Sequence, residues 1–275
     1  MSAVAVIAGR EVLAGVRNRW MLAATLLLGA LALTLAFVGS SPVGAVDATR
    51  LSITVVSLSS LSVFLVPLIG LLVSYDALVG EIERGTMPLL MTCPVTRWRI
   101  VLGKFAGQVA ILVVATVAGF GIAALATGLG DGSDADAWGA FGIMVGGSIL
   151  LGAAFIALGT LFSAVVAERG TAAGVSVAAW LVFVVLFDMA LLAILVADEG
   201  QAVSGELFRV LLLLNPTDVY RMLTLAGSET VGALSGMAGV SAEAAFGPAL
   251  LVPVMLLWIA VPLGLAGLLF GRKEL

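Results

Sequence analysis

The chain contains no histidine, and its one cysteine is Cys93. The first absence removes the commonest proton shuttle and metal ligand, and the second excludes an internal disulfide. A nucleophile–base pair cannot be built without histidine, and a Ser–Lys substitute is limited to Lys104 and Lys273, the only lysines. No Gly-x-x-x-x-Gly-Lys-Ser/Thr run occurs: Leu102-Gly103-Lys104 leads into Phe105 with no glycine loop ahead of it, so no phosphate cradle is expected. The sequence therefore predicts no catalysis, no metal and no cofactor in this chain. Charge is also scarce, at 11% of residues against roughly a quarter in soluble domains. That excludes an ordinary soluble fold.

What the chain has instead is apolar length. Of its 275 residues 61% are hydrophobic, and the mean hydropathy is +1.21. The runs are apolar on all sides, without the alternation a barrel needs, so backbone groups in lipid are satisfied within helices. At about 20 residues per crossing, the expected architecture is an all-α membrane protein with six transmembrane helices at 20–38, 51–74, 105–129, 139–166, 171–197 and 248–270. Six spans put both termini on one side. That side carries Arg10, Arg17, Arg19, Arg84, Arg97, Arg99, Lys104, Arg169, Arg272 and Lys273, whereas the other holds only Arg50, Arg209 and Arg221 among many carboxylates. Basic residues stay in the cytoplasm, so a multi-pass protein with both termini cytoplasmic is expected. Arginines precede the first apolar run and no small-residue cleavage site follows it, so no cleavable signal is expected.

Three segments stand outside the spans. Residues 1–19 repeat polar positions seven apart (Arg10 and Arg17, Glu11 and Asn18), which suits an interfacial helix anchored by Trp20, or a frayed tail with snorkelling arginines. Residues 198–247 form an outer helical segment. In it LFRVLLLL (207–214) is too short to span and reads as a re-entrant or interfacial helix stopped at Asn215-Pro216, with Thr217 or Asp218 as a fresh N-cap. The third segment, 75–104, gathers Asp76, Glu81, Glu83, Arg84, Arg97, Arg99 and Lys104 between two spans and must face water or a partner. Gly85 allows a sharp turn. Thr86 is placed to cap a short helix over 87–93 with Pro88 in its first turn. Pro94 ends it, and Thr96 caps the next. Such a proline-bracketed hairpin can transmit rigid-body motion from a docked protein; the plainer alternative is a solvated loop.

The hairpin resembles the coupling hairpin of six-span ABC-exporter permeases in Gly80, Glu81, Glu83, Gly85, Thr86, Pro94, Thr96-Arg97 and Leu102-Gly103-Lys104. Met87-Pro88 departs from the usual pattern there. REVLAGVRNRW (10–20), SLSSLSVFLVPLIGLLVSYDALVGE (57–81) and LNPTDVYRML (214–223) are similar to the NosY type, the permeases of nitrous oxide reductase maturation. This resemblance covers nearly the whole chain. It implies a dimer of this subunit in the bacterial inner membrane, bound to two copies of a cytosolic ABC ATPase (NosF type) that holds ATP and Mg. It also implies a periplasmic partner of the NosD type and a role in copper-site assembly of nitrous oxide reductase. Lipid is the only other expected partner, and nucleic acid is not one. A generic exporter permease for lipid, drug or glycan cargo, and a non-conducting mechanotransmission subunit, remain alternatives.

The expected ATPase contacts are Glu81, Glu83, Arg84, Gly85, Thr86, Met87 and Arg97. Asp188, inside the fifth span, costs roughly 2.5–3.5 kcal/mol on insertion scales. It serves as a gate, a cargo contact or a protonatable switch, or it bonds a hydroxyl such as Thr160, Ser163 or Ser176. Asn215, Pro216, Asp218 and Arg221 are expected at an outer partner surface or gate. Met87, Met91 and Cys93 are soft donors close together, but methionine at helical spacing reads as packing rather than ligation. Small-residue pairs such as Gly142–Gly146 and Gly170–Gly174 allow close helix approach.

Overall fold

The computed structural model describes residues 3–16, 29–31, 33–34, 49–92, 95–128, 135–197, 205–226 and 246–273. All regular structure among them is helical. Five helical stretches are long and apolar enough to cross a bilayer. Most of the expected first span, 20–38, lies outside the described residues, though 29–31 and 33–34 are helical.

The first helix, α1, runs Ala3–Val16, and α2 runs Arg50–Ser74, capped by the Thr49 side chain, which accepts from the Ser52 amide. Two short helices follow, α3 (Val79–Glu83) and α4 (Met87–Met91). The second is shorter than the expected 87–93, and Cys93 and Pro94 lie outside the described residues. Next come α5 (Arg97–Gly128) and α6 (Ala135–Val165). Helix α5 runs from Arg97 through Lys104 into the span expected at 105–129 without a break, as the helix expected after Thr96 does. The next of these stretches is built from α7 (Arg169–Leu181), a π-helical turn (Val182–Leu186) and α8 (Phe187–Ala197). The short helices α9 (Gly205–Leu213) and α10 (Pro216–Leu225) precede α11 (Pro248–Arg272).

The core sits around α6, whose buried face includes Gly147, Ser148, Leu151, Phe155, Ile156, Thr160 and Ser163. Helices α2, α5, α10 and α11 pack against it. Buried hydroxyls are absorbed by the helices that carry them: Ser62 donates to Leu58 O, Ser74 to Gly70 O, Ser148 to Met144 O and Thr160 to Ile156 O, each four residues back. That bonding lets polar side chains stay inside an apolar bundle. Helix α1 lies along the first turns of α5 and needs glycine there. A Cβ on Gly103 would come 2.7 Å from Ile7 Cβ, and one on Gly107 would come 2.5 Å from Glu11 Cβ. The pairs Gly142–Gly146 and Gly170–Gly174 face open space in this chain.

Contacts define one end. Near α3 and α4 lie the starts of α5 and α7 and the ends of α6 and α11. Helices α9 and α10 meet the bundle farther from that end, near the middle of its long helices. They are not purely peripheral, since Tyr220 is fully buried and its hydroxyl is 3.1 Å from Ser148 Oγ. At 1.5 Å per residue, Ser148 is roughly 20 Å along α6 from its first residue.

Candidate functional site

The hairpin is tied inward at several points. Leaving α2, the chain turns through 75–78, and the amides of Leu78 and Val79 donate to Ser163 Oγ on α6, at 2.9 and 3.0 Å. These are donors that a helix start leaves without intrahelical partners, and a fully buried serine serves two of them. From α3, Glu81 reaches Lys104 Nζ at 2.7 Å, and Lys104 also bonds Glu11 of α1 at 2.7 Å. Lys104 is 3% exposed. One buried ammonium thus joins α1, α3 and α5 between two carboxylates. Glu83 accepts from the Arg169 amide at 2.6 Å, at the start of α7, and the Arg169 guanidinium lies 3.0 Å from Asp76 and over the Tyr75 ring.

These positions redistribute the expected contact residues. Glu81 and Met87 are buried: Glu81 is consumed by Lys104, and Met87 packs with Leu78, Val101, Ala157 and Phe270. Their assignment to a partner-facing surface is corrected by that burial, which also accounts for Met87 as packing. Arg97 also turns inward. Its guanidinium donates to the carbonyls of Phe270 (2.8 Å) and Lys273 (2.5 Å) and covers the Phe270 ring, capping the end of α11. A cation is favourable at a helix C-terminus, where carbonyls lack partners. Lys273 does the same for α6 by bonding the carbonyls of Ala164 and Val166, and burial lowers its pKa. Lys104, read from sequence as part of a water-facing insert, is buried instead.

What remains on the surface is the tip. Glu83, Arg84, Gly85, Pro88 and Leu89 are exposed, and Thr86 is partly so; Leu89 is 69% exposed. Gly85 has φ +67°, the left-handed conformation that glycine adopts without strain, so the expected sharp turn is present. Thr86 does not cap α4 with its side chain. Its hydroxyl donates back to Glu81 O at 3.2 Å, closing the turn from the other side.

A second polar cluster lies toward the opposite end. Asn215 accepts from the Thr217 amide and so caps α10; the cap is Asn215, not Thr217 or Asp218, because Pro216 already has helical geometry. Asn215 Nδ2 donates to Phe183 O at 2.9 Å, and the Thr217 hydroxyl lies 3.1 Å from the same carbonyl. Phe183 sits in the π-helical turn, where widened spacing makes a backbone carbonyl available to outside donors. Arg221 then bridges Asp218 (2.9 Å) and Asp188 (2.5 Å). Burial, with the Asp188 carboxylate close by, pushes Asp218 up to about 7, against Arg221 and Asn215, which pull it down.

This overturns two expectations. Asp188 does not use the proposed hydroxyls. Thr160 bonds its own helix, Ser163 serves the hairpin, and Ser176 Oγ has no hydrogen-bond partner; Asp188 pairs with Arg221. Asn215, Pro216 and Asp218 are buried and hold α10 against the α7–α8 crossing, so they present no outer surface. The sequence carried a usable signal for this pairing: a carboxylate inside an apolar helix demands a cation, and only three arginines lie near that end.

A family model described as ABC-2 family transporter protein matches residues 5–275. Among curated proteins, the chain is 44% identical over 270 residues to a protein of Stutzerimonas stutzeri named "Probable ABC transporter permease protein NosY", covering 97% of each chain. It is 43% identical over 277 residues to one of the same name from Pseudomonas aeruginosa, covering the whole of both.

Proposed function

We infer the function from what the chain is: it belongs to the ABC-2 family of transporter proteins and is a membrane permease of an ABC transporter, whose ATPase is a separate subunit. We propose that the hairpin tip, Glu83 to Leu89, is where a cytosolic ATPase of the NosF type docks. On this reading both termini and the hairpin are cytoplasmic, the chain sits in a bacterial inner membrane, and two copies work together. We further propose that ATP-driven movement is passed to a periplasmic partner of the NosD type during copper-site assembly of nitrous oxide reductase.

One observation carries the docking proposal. The exposed tip is short, while the residues behind it are bonded to four other helices through Ser163, Lys104 and Arg169. A load applied to Arg84 or Leu89 therefore reaches α1, α5, α6 and α7 without passing through a slack loop. The basic charge at this end supports its cytoplasmic placement. The role in copper-site assembly is supported by the names of the relatives and by the LNPTDVYR stretch, which here builds a complete polar cluster.

The test is affinity purification of the tagged chain from native membranes. The expected result is recovery of one ABC ATPase together with a periplasmic protein. Recovery of the permease without any ATPase overturns the proposal, and an ATPase without the periplasmic protein favours a generic exporter of lipid, drug or glycan cargo.

A further inference from the structure

The α7–α8 crossing differs from the other helices in how it is held. Among the described residues from Arg169 to Ala197, only Ala172, Ser176 and Val184 are buried. Val175, Val177, Leu181, Val182, Leu186, Met189, Leu192, Ile194 and Val196 are all exposed large apolar side chains. Packing fixes it mainly near its middle, where Phe183 meets Phe155 and Trp258 edge to face, and where Trp180 donates to Phe64 O. Apart from the Trp180 bond, its directional bonds to other helices fall into two groups. At the first residue, Arg169 gives its amide to Glu83 and its guanidinium to Asp76. Roughly 20 Å further along the helix, Phe183 O accepts from Asn215 and Thr217, and Asp188 pairs with Arg221.

We propose that this crossing, from Arg169 to Asp188, is a strut jointed at its start and beyond its middle, which carries displacement of the hairpin to helix α10, with Arg169 and Arg221 as positioning residues at the two joints. A regular helix is stiff along its axis because each turn is hydrogen-bonded to the next. In hydrocarbon an apolar helix gains little from burying itself against its neighbours, so polar joints fix where it is pushed and where it pushes. The near joint lies directly behind the tip: Glu83 is two residues from Gly85. The far joint engages α10 through four side chains, Asn215, Thr217, Asp218 and Arg221, two of them bonding the π-helical turn. That turn places the bonded carbonyl within reach of α10 without breaking the helix. The inference rests on the docking reading above, since the input is motion of the hairpin.

The experiment uses the complete permease–ATPase complex in lipid nanodiscs, with Cys93→Ser and a single spin label per chain at Thr92 or at Ala226. Distances between the two copies are measured by pulsed EPR without nucleotide and with ATP–Mg trapped. In the otherwise native chain both labels are expected to shift. In Asp76→Ala/Arg169→Ala the Thr92 shift persists and the Ala226 shift is at least halved. The single change Arg169→Asp also diminishes the Ala226 shift, and adding Asp76→Arg restores it, a rescue that general destabilisation would not produce. An undiminished Ala226 shift in Asp76→Ala/Arg169→Ala, or a charge swap no better than Arg169→Asp, overturns the strut. Failure of the Thr92 label to move in the native chain overturns the docking reading and the strut with it.

Discussion

Lys104 is one of two lysines in the chain, and it is spent on an internal bond between Glu11 and Glu81. Removing one partner of a buried ionic group leaves the others uncompensated, at about 3–5 kcal/mol. Lys104→Met is thus expected to lower the melting temperature of the purified permease more than Lys104→Arg does. Ser163→Ala should act in the same direction: it frees two buried amides, each costing about 1–3 kcal/mol, and loosens the hairpin first. Hydrogen exchange at Leu78 and Val79 measures this, with faster exchange expected there than in α6. At the far cluster, Asp218 holds its proton to about 7 when folded, well above the usual carboxylate range. The stability this lends is fully present below about pH 4 and is lost as pH rises through 7. Asp218→Asn, which mimics the protonated group, should flatten that part of the stability profile, whereas Arg221→Ala strands two carboxylates and should destabilise at neutral pH.

Among the elements, the hairpin shows most clearly what could and could not be read in advance. The turn at Gly85, the position of Pro88 in the first turn of α4 and the break at Asn215-Pro216 follow from local stereochemistry, and each is present. The direction in which the charged side chains face was not legible. A cluster of charges beside an apolar span reads as solvent-exposed, yet Glu81, Lys104 and Arg97 find partners 23, 93 and 173 residues away. No spacing rule reaches that far, because such pairs are set by how whole helices stack. Asp188 and Arg221, 33 residues apart, were missed for the same reason, and so was the π-helical turn. At the tip itself the prediction is local: Gly85→Val forces a β-branched residue to positive φ, costing about 1–2 kcal/mol. ATPase stimulation by the permease should fall while membrane insertion stays intact, as fractionation would show.

Across the whole molecule, the scarcity of charge and its placement belong together. A chain with 11% charged residues puts much of its described charge into joints between helices: Lys104 at one, Arg169 at a second, Arg97 and Lys273 at the hairpin-end helix termini, and Arg221 far from them. The apolar helices supply spans, and the polar joints decide which of them move together. In this account the exposed tip between Glu83 and Leu89 is the part of the hairpin that another protein grips. The most direct test places a photo-crosslinking amino acid singly at Arg84, Leu89, Val196 or Ala226 in the native complex. Adducts with the ATPase are expected from Arg84 and Leu89 and not from Val196 or Ala226. Adducts from the latter pair, with none from the tip, would contradict both the docking site and the orientation of the chain.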